Sequence, residues 1–510
     1  MKTIAQNLKY DLSASLVVFF VALPLCLGIA LASGAPLFAG IIAGIVGGIV
    51  VGALSGSPLG VSGPAAGLAV LVLGYITALG SWQAFLLAVI IMGIIQIICG
   101  YLKLGTIAYY FPSSVIKGML AGIGLLIVLK QIPHGLGYDA EPETYINFQH
   151  HDLQSLITEL QNILNNFTLG AVFITIVSMF VLILWESKFI KKNKILKIFP
   201  APLLAVVIGI ILYNLYLYNI LPFDLNSSQV VEIPVSSSFG EFFGQFTLPD
   251  FSHLTNPNIY VIALVMAIVA SLETLLCVEA TDKLDPQRRV TPTNRELKAQ
   301  GFGNIISGLI GGLPVTQVIV RSSANISFGG RTKISAISHG FLLLICAISI
   351  PKILNMIPMA SLACILFVVG YKLAKPALFK QMYKLGWEQF IPFIATVAGM
   401  LFFDLLKGVG IGMIVAIFYI LRDNFRNSHQ HITDTENKNS HVIELAQEVS
   451  FLNKGSILQI LKDIPEDSKV LIDGSKSTSI DFDVIEILKD FKTNAKSKNI
   501  SLTIKGINLK

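Results

Sequence analysis

Two charged residues stand inside long apolar stretches of this sequence, and each could do chemistry there. Arg321 carries a permanent positive charge on a planar fork of donors, which suits an oxyanion. Glu273 lies within Ala270-Ser271-Leu272-Glu273-Thr274 and, in an apolar setting, could carry a proton, hold Na⁺ or pair with Arg321. The residues alone leave these roles open. A structural arginine, neutralised by Glu273 or by backbone carbonyls, is the alternative interpretation.

Two Gly/Pro-led segments precede short apolar runs, at 60–67 and 311–316. A proline near the first turn suits a helix start, and glycine-rich backbone stays extended in a membrane only where it lines a cavity. Two half-helices whose N-termini face each other near the midplane would attract an anion, and Arg321, about halfway along the second, would add charge. Two ordinary loops are the alternative. The predicted anion site comprises Gly63, Pro64, Ala65, Ala66, Thr316, Val320, Arg321 and Ser322.

The composition is that of a polytopic membrane protein. The 510 residues are 54% hydrophobic and only 13% charged, and no Lys or Arg occurs at 10–102, 131–187 or 198–282. One bilayer span takes about 20 apolar residues, so these gaps hold many spans. The composition excludes a secreted domain, a cytosolic enzyme and a disordered protein, and makes the net charge of +6 a topology signal rather than a sign of nucleic-acid binding. The run at 12–32 is too long for a signal peptide and is assigned to the first helix.

Apolar runs bounded by turns predict fourteen transmembrane helices in two sets of seven. The first set is 12–32, 38–54, 64–79, 83–101, 113–131, 168–186 and 199–217; the second is 258–279, 298–312, 315–328, 333–350, 353–371, 388–404 and 407–422. Because seven is odd, tandem copies must have opposite orientations. The pattern therefore predicts an inverted repeat over about 12–217 and 258–422, as in many secondary transporters.

Basic residues predict the orientation. Lys and Arg gather in the sixth, eighth and twelfth connections, whereas the long fifth and seventh connections are acidic and contain neither. The positive-inside rule then places the N-terminus on the cytoplasmic side of the inner (plasma) membrane.

Several segments, in order, resemble the SulP family of sulfate permeases and related inorganic-anion transporters. They are Asp11-Leu12-Ser13-Ala14, Ala22-Leu23-Pro24, Ser62-Gly63-Pro64, 111–118, Glu273-Thr274-Leu275-Leu276, Asn294-Arg295-Glu296-Leu297 and 321–332. The resemblance implies a core domain and a gate domain, an anion held between the third and tenth helices, and elevator-like movement of the core. It matches Arg321 and Glu273 to the family's functional positions, and Pro24, Leu25 and Ile29 to first-helix positions near the substrate.

Three residues depart from the family pattern. Leu25 replaces a glutamine and Val320 a serine found in many relatives, so the anion would rely more on backbone donors. Cys277 replaces a hydroxyl that accompanies Na⁺ coupling in bicarbonate-transporting relatives. We therefore expect H⁺, through Glu273, rather than Na⁺ as the coupling ion.

A polar segment follows the membrane domain of 1–425. Residues 430–510 show a β-α-β-α-β rhythm, with strands at 441–451, 469–473 and 500–504 and helices at 456–464 and 483–495. This small α/β domain resembles a cytoplasmic STAS domain, which implies a homodimer or a partner. The serine that anti-sigma-factor antagonists phosphorylate is absent from the loop ending at Asp481, which disfavours that switch.

The predicted function is secondary active transport of a small inorganic oxyanion, sulfate or bicarbonate, across the lipid bilayer. An anion channel or motor-like protein conducting chloride or bicarbonate, and a nucleobase-type transporter, are the alternatives. We expect no enzyme activity, metal or cofactor, because no nucleophile–base pair, metal cluster or nucleotide loop is evident. The five cysteines, all within apolar stretches, are predicted to be buried free thiols. The identity of the anion is beyond the sequence.

Overall fold

The computed structural model describes residues 2–106, 111–138, 166–187, 190, 199–222, 225–235, 239–403, 405–426, 429–433 and 439–508. It contains two compact units, residues 1–385 with 393–410 and residues 386–392 with 411–510. Each unit is described by itself below. The domain boundary near 425–430 stays a prediction.

A helix occupies each of the fourteen predicted segments. The first seven are α1 (Lys2–Ala32), α2 (Leu37–Leu54), α3 (Ala66–Leu79), α4 (Trp82–Tyr101), α5 (Ser113–Leu136), α6 (Leu169–Trp185) and α7 (Ala201–Leu217). The second seven are α8 (Pro257–Leu284), α9 (Thr293–Leu309), α10 (Ile319–Ser327), α11 (Ile334–Ser349), α12 (Met359–Leu373), α13 (Trp387–Phe402) and α14 (Leu405–Arg426). Six helices of the described chain are long and apolar enough to cross a membrane, and five more are apolar but shorter. The number of spans stays a prediction.

The structure corrects the two Gly/Pro-led segments. Pro64 does not open a helix; it ends a short strand, β1 (Ser62–Pro64). Residues predicted to begin the tenth helix form a second strand, β2 (Val315–Gln317), and α10 starts only at Ile319. Arg321 is therefore the third residue of α10, in its first turn, and not halfway along it.

Strands β1 and β2 pair antiparallel and join the two repeats. Gly63 lies opposite Thr316 at the centre of the pairing. The Ala65 N–H donates to the Pro314 carbonyl at 3.3 Å and the Val318 N–H to the Val61 carbonyl at 3.0 Å, which extends the ribbon by one bond at each end. Because α3 and α10 leave opposite ends of this ribbon, their N-termini both face its middle.

Close contacts between glycines occur at equivalent places in the two repeats. A Cβ on Gly93 of α4 would lie 2.6 Å from the Gly301 carbonyl oxygen of α9, and a Cβ on Gly301 would lie 2.6 Å from that of Gly93. Gly48 of α2 and Gly340 of α11 make the equivalent contact. Helices α2 and α9 are each second in their repeat, and α4 and α11 are each fourth, so both contacts join a second helix to a fourth helix of the other repeat. Small residues allow such close helix approach in membranes. The equivalent crossings support the predicted inverted repeat.

One face of α9 holds the strands in place. Glu296, Gln300, Asn304 and Ser307 are all buried, although their helix lies within an otherwise apolar unit. The Gln300 amide donates to the Ser62 hydroxyl at 2.8 Å, and Asn304 accepts from the Val315 N–H at 2.6 Å and donates to its carbonyl at 3.1 Å. Backbone away from helices needs such partners inside a membrane. These amides supply them.

The second unit carries the predicted α/β tail. Its elements are β3 (His429–Thr433), β4 (Ser440–Leu445), β5 (Glu448–Val449), α15 (Lys454–Lys462), β6 (Lys469–Asp473), β7 (Ser479–Ile480), α16 (Phe482–Ala495) and β8 (Ser501–Lys505). The main sheet has the order β3-β4-β6-β8, with β3 antiparallel and the other neighbours parallel. The β-α-β-α-β rhythm is confirmed and fits a STAS domain. The single strand predicted at 441–451 is wrong, because it divides into β4 and β5, and β3 was not predicted.

Candidate anion-binding site

A cavity of about 180 Å³ lies beside the β1–β2 ribbon. Helices α1, α3, α8 and α10 form one wall, and α5 and α12 form the other. The first wall contributes Leu25, Ile29, Pro64, Ala66, Gly67, Glu273, Leu276, Cys277, Ala280, Val318, Ile319, Val320 and Arg321. The second wall is wholly apolar and contributes Leu120, Ile123, Val369 and Leu373. The polarity of the site therefore comes from one wall alone.

Arg321 brings a positive charge to this cavity. The residue is only 1% exposed, and its Nη2 donates to the Cys26 sulfur at 3.2 Å. Its Nη1 is buried without a hydrogen-bond partner. A Cβ on Gly63 would lie 2.2 Å from Nη1, so the guanidinium rests directly against β1. One donor group of the fork therefore has no hydrogen-bond partner.

Helix α8 reaches the N-termini of both short helices. Glu273 Oε1 accepts a hydrogen bond from the Gly67 N–H at 3.3 Å, at the start of α3. One turn later along α8, Cys277 lines the same cavity as Ile319, the first residue of α10. A carboxylate at a helix N-terminus is stabilised by the helix dipole and the free N–H groups. Glu273 thus sits where a bound anion would also be stabilised.

Arg321 and Glu273 share the cavity without pairing. Among the ion pairs of the described residues, none joins these two side chains. Glu273 Oε2, like Arg321 Nη1, is buried with no hydrogen-bond partner. This arrangement disagrees with the alternative in which Glu273 neutralises a structural arginine. A buried charged group that has one polar atom unpartnered is costly, so both groups favour a ligand or a proton.

The predicted site residues divide into two groups. Leu25, Ile29, Pro64, Ala66, Val320, Arg321, Glu273 and Cys277 line the cavity. The others lie outside its lining: Pro24 is inside α1, Gly63 backs Arg321, and the Ala65 N–H is bound to the Pro314 carbonyl. Thr316 is fully buried, with no partner for its hydroxyl. The Ser322 hydroxyl accepts from the Val61 N–H at 3.0 Å and donates to the Val318 carbonyl at 2.8 Å, so it holds the ribbon.

The sequence analysis missed three kinds of residue at this site. Gly67 lay inside a segment already singled out, and its bond to Glu273 required the fold. Cys26, next to Leu25 on α1, was read only as a buried thiol. The apolar wall from α5 and α12 carries no local sequence signal, because an apolar residue facing a cavity looks like one facing lipid. No cluster of three His, Cys, Asp or Glu side chains able to hold a metal occurs in the described part of the chain.

The fold and site define a multi-pass membrane protein with a charged cavity between two inverted repeats. A model of the sulfate permease family matches residues 8–396. The chain belongs to that family.

Individual relatives agree with this assignment. The bicarbonate transporter BicA of Picosynechococcus sp. is 27% identical over 419 residues, which cover 81% of this chain and 70% of BicA. YvdB of Bacillus subtilis, provisionally named a sulfate transporter, is 27% identical over 433 residues, or 84% of this chain and 77% of YvdB.

Solved structures show the same fold. The transmembrane domain of a cyanobacterial BicA superposes with a TM-score of 0.66 at 24% identity, covering 81% of this chain and 97% of that domain. SLC26A9 superposes with a TM-score of 0.78 at 15% identity, covering 99% of this chain and 85% of that structure. At these identities the likeness concerns the fold alone.

Proposed function

We propose that this protein is a secondary active transporter of a small inorganic oxyanion, sulfate or bicarbonate. The observation that carries the proposal is a buried arginine, Arg321, which lines a cavity beside the starts of α3 and α10 and whose Nη1 has no hydrogen-bond partner. Bidentate recognition by a guanidinium, together with oriented N–H groups, suits an oxyanion better than a neutral nucleobase. The family and the named relatives support both candidate substrates.

We further propose that H⁺ is the coupling ion and that Glu273 carries it. An ionised Glu273, which accepts from the Gly67 N–H at the start of α3, repels an incoming anion, whereas a protonated Glu273 carries no charge to repel it. Anion and proton would then bind together. Na⁺ is less favoured, because Cys277, which lines the cavity one turn after Glu273, offers sulfur rather than a hard oxygen.

The two unlike walls favour elevator-like transport. Arg321 and Glu273 lie on the wall of α1, α3, α8 and α10, and an apolar wall such as that of α5 and α12 presents little polar resistance to sliding. We propose that the first group moves as a core domain against the second as a gate. We also propose a homodimer in the inner membrane, with the N-terminus and the STAS-like tail in the cytoplasm.

The test is uptake of labelled sulfate and labelled bicarbonate into proteoliposomes, each under an imposed H⁺ or Na⁺ gradient. We expect one anion to accumulate in a saturable manner only when the H⁺ gradient is directed inward. Accumulation that follows Na⁺ would overturn the H⁺ coupling. An electrogenic anion current that does not saturate would overturn the transporter proposal in favour of a channel.

A further inference from the structure

The guanidinium of Arg321 is hydrogen-bonded to a buried thiol. Its Nη2 donates to the sulfur of Cys26 at 3.2 Å, and Cys26 is fully buried in α1. This sulfur is not part of the cavity lining, whereas Arg321 is. The hydrogen bond therefore fixes one edge of the fork, while Nη1 has no hydrogen-bond partner.

Two glycines make room for this contact. A Cβ on Gly44 of α2 would lie 2.5 Å from the Cys26 sulfur and 3.9 Å from Arg321 Nη1. A Cβ on Gly63 would lie 2.2 Å from the same Nη1. Helix α2 and strand β1 thus enclose the guanidinium and the thiol, which restricts the rotation of the fork.

The chemistry of the partner matters as much as its position. A thiol is a weak acceptor without formal charge, so it orients Arg321 without cancelling its charge. A carboxylate at the same place would form a buried ion pair and remove the attraction for an anion. His339, a buried residue of α11, bonds through Nδ1 to the Ala336 carbonyl within the same helix.

We propose that Cys26 is the positioning residue for Arg321: its neutral sulfur fixes the guanidinium beside the cavity and leaves the positive charge to the transported anion. This inference rests on the proposed function and adds to it the residue that holds the charged group of the site in place.

The test compares Cys26→Ser, Cys26→Ala and Cys26→Asp with a matched control, Cys346→Ser, a buried thiol on α11. The readouts are the shift in Tm that sulfate or bicarbonate produces in the purified full chain, and KM and maximal rate in proteoliposomes.

We expect Cys26→Ser to keep near-normal KM because it retains an acceptor. Cys26→Ala should raise KM with little change in maximal rate. Cys26→Asp should weaken anion binding about 10-fold to 100-fold, the loss of one hydrogen bond to a charged group.

A double-mutant cycle measures the interaction between residue 26 and Arg321 in the absence of any anion. Cys26→Asp should lower Tm more in an Arg321→Met background than in the parent protein, because only Arg321 can pair with the new carboxylate. Equal changes in both backgrounds, normal anion binding by Cys26→Asp, or equal KM values for the Ser and Ala variants would each overturn the inference. If neither the parent protein nor Cys346→Ser responds to either anion, the proposed function fails instead, and the cycle still tests the contact.

Discussion

Arg321 and Glu273 line one cavity as its buried cation and its buried acid, yet among the described residues no ion pair joins them. Each makes one hydrogen bond to a partner with no formal charge, the Cys26 thiol and the Gly67 N–H respectively. A direct pair would satisfy both groups and leave nothing for a ligand. Keeping them apart leaves Arg321 Nη1 and Glu273 Oε2 without hydrogen-bond partners; under the proposed function, Arg321 attracts the anion and Glu273 carries the proton.

Replacing Arg321 should remove transport. Arg321→Ala deletes the charge and the free donor, so we expect uptake to fall about 100-fold or more, beyond the loss of a single charged hydrogen bond. Arg321→Lys keeps the charge but not the planar fork and should be impaired as well. Uptake into proteoliposomes is the measurement. Arg288→Ala, at an exposed loop position, is the control. Normal uptake by a well-folded Arg321→Ala protein would contradict the site.

Neutralising Glu273 should uncouple transport from the proton gradient. Glu273→Gln resembles the protonated acid permanently, so the anion should still bind while the dependence of uptake on pH becomes flat. The measurement is the initial uptake rate at several external pH values. Glu279→Gln, whose parent residue pairs with Lys283 at the helix end, serves as control and should keep the pH profile. An unchanged profile in Glu273→Gln would assign Glu273 a structural role.

A methyl group on Gly63 should displace the Arg321 guanidinium. The added Cβ would overlap Nη1 at 2.2 Å, so the guanidinium or β1 must shift. We expect Gly63→Ala to cost about 1–3 kcal/mol of stability, as for other overpacked sites, and to raise KM strongly. Gly74→Ala is the matched control, since a Cβ there meets nothing within 4 Å. Thermal unfolding and uptake kinetics of the two variants test the difference. Equal KM values would show that Gly63 does not constrain the site.

The connection after α8 should make stability depend on acid pH. Asp285 is buried, which works to raise its pKa, but hydrogen bonds from the Arg289 side chain at 2.6 Å and the Gln287 N–H at 2.9 Å outweigh burial and lower the pKa. Its stabilising contribution is therefore complete above the unfolded-state pKa of about 4 and is lost as pH falls through the lower folded-state value.

Asp285→Asn should accordingly lower the free energy of unfolding by about 1–3 kcal/mol at neutral pH. The difference from the parent protein should shrink as pH falls below about 4, where the parent carboxylate also becomes protonated. Thermal unfolding across pH measures this. The exposed pair of Lys283 and Glu279 provides the comparison, and Glu279→Gln should change stability by less than about 1 kcal/mol. A constant deficit of Asp285→Asn at all pH values would contradict the assignment.

Much of this architecture follows from the sequence, because the hydrophobicity and charge of a segment decide by themselves whether it forms a membrane helix. A span of apolar residues has few alternatives to a helix in a bilayer, so the fourteen segments could be placed within a few residues. Arg321 and Glu273 stood out for the same reason, since an ionised side chain is rare in such a run. Local patterns also indicated the rhythm of the tail, but not β3, which pairs with β4 only through the folded sheet.

The tertiary structure decided what these residues touch. Pro64 looks like a helix start by itself, and only pairing of Ser62 with Gln317, more than 250 positions away, makes its segment a strand. Glu273 and Arg321 look like natural partners in sequence, yet the fold gives one to Gly67 and the other to Cys26. Local propensity and hydropathy determine which segments become helices, whereas contacts between distant segments depend on packing that no single stretch of chain encodes. The sequence therefore determined the helices and the charged residues they carry, and the crossing of the two repeats decided that Arg321 and Glu273 bind Cys26 and Gly67 instead of each other.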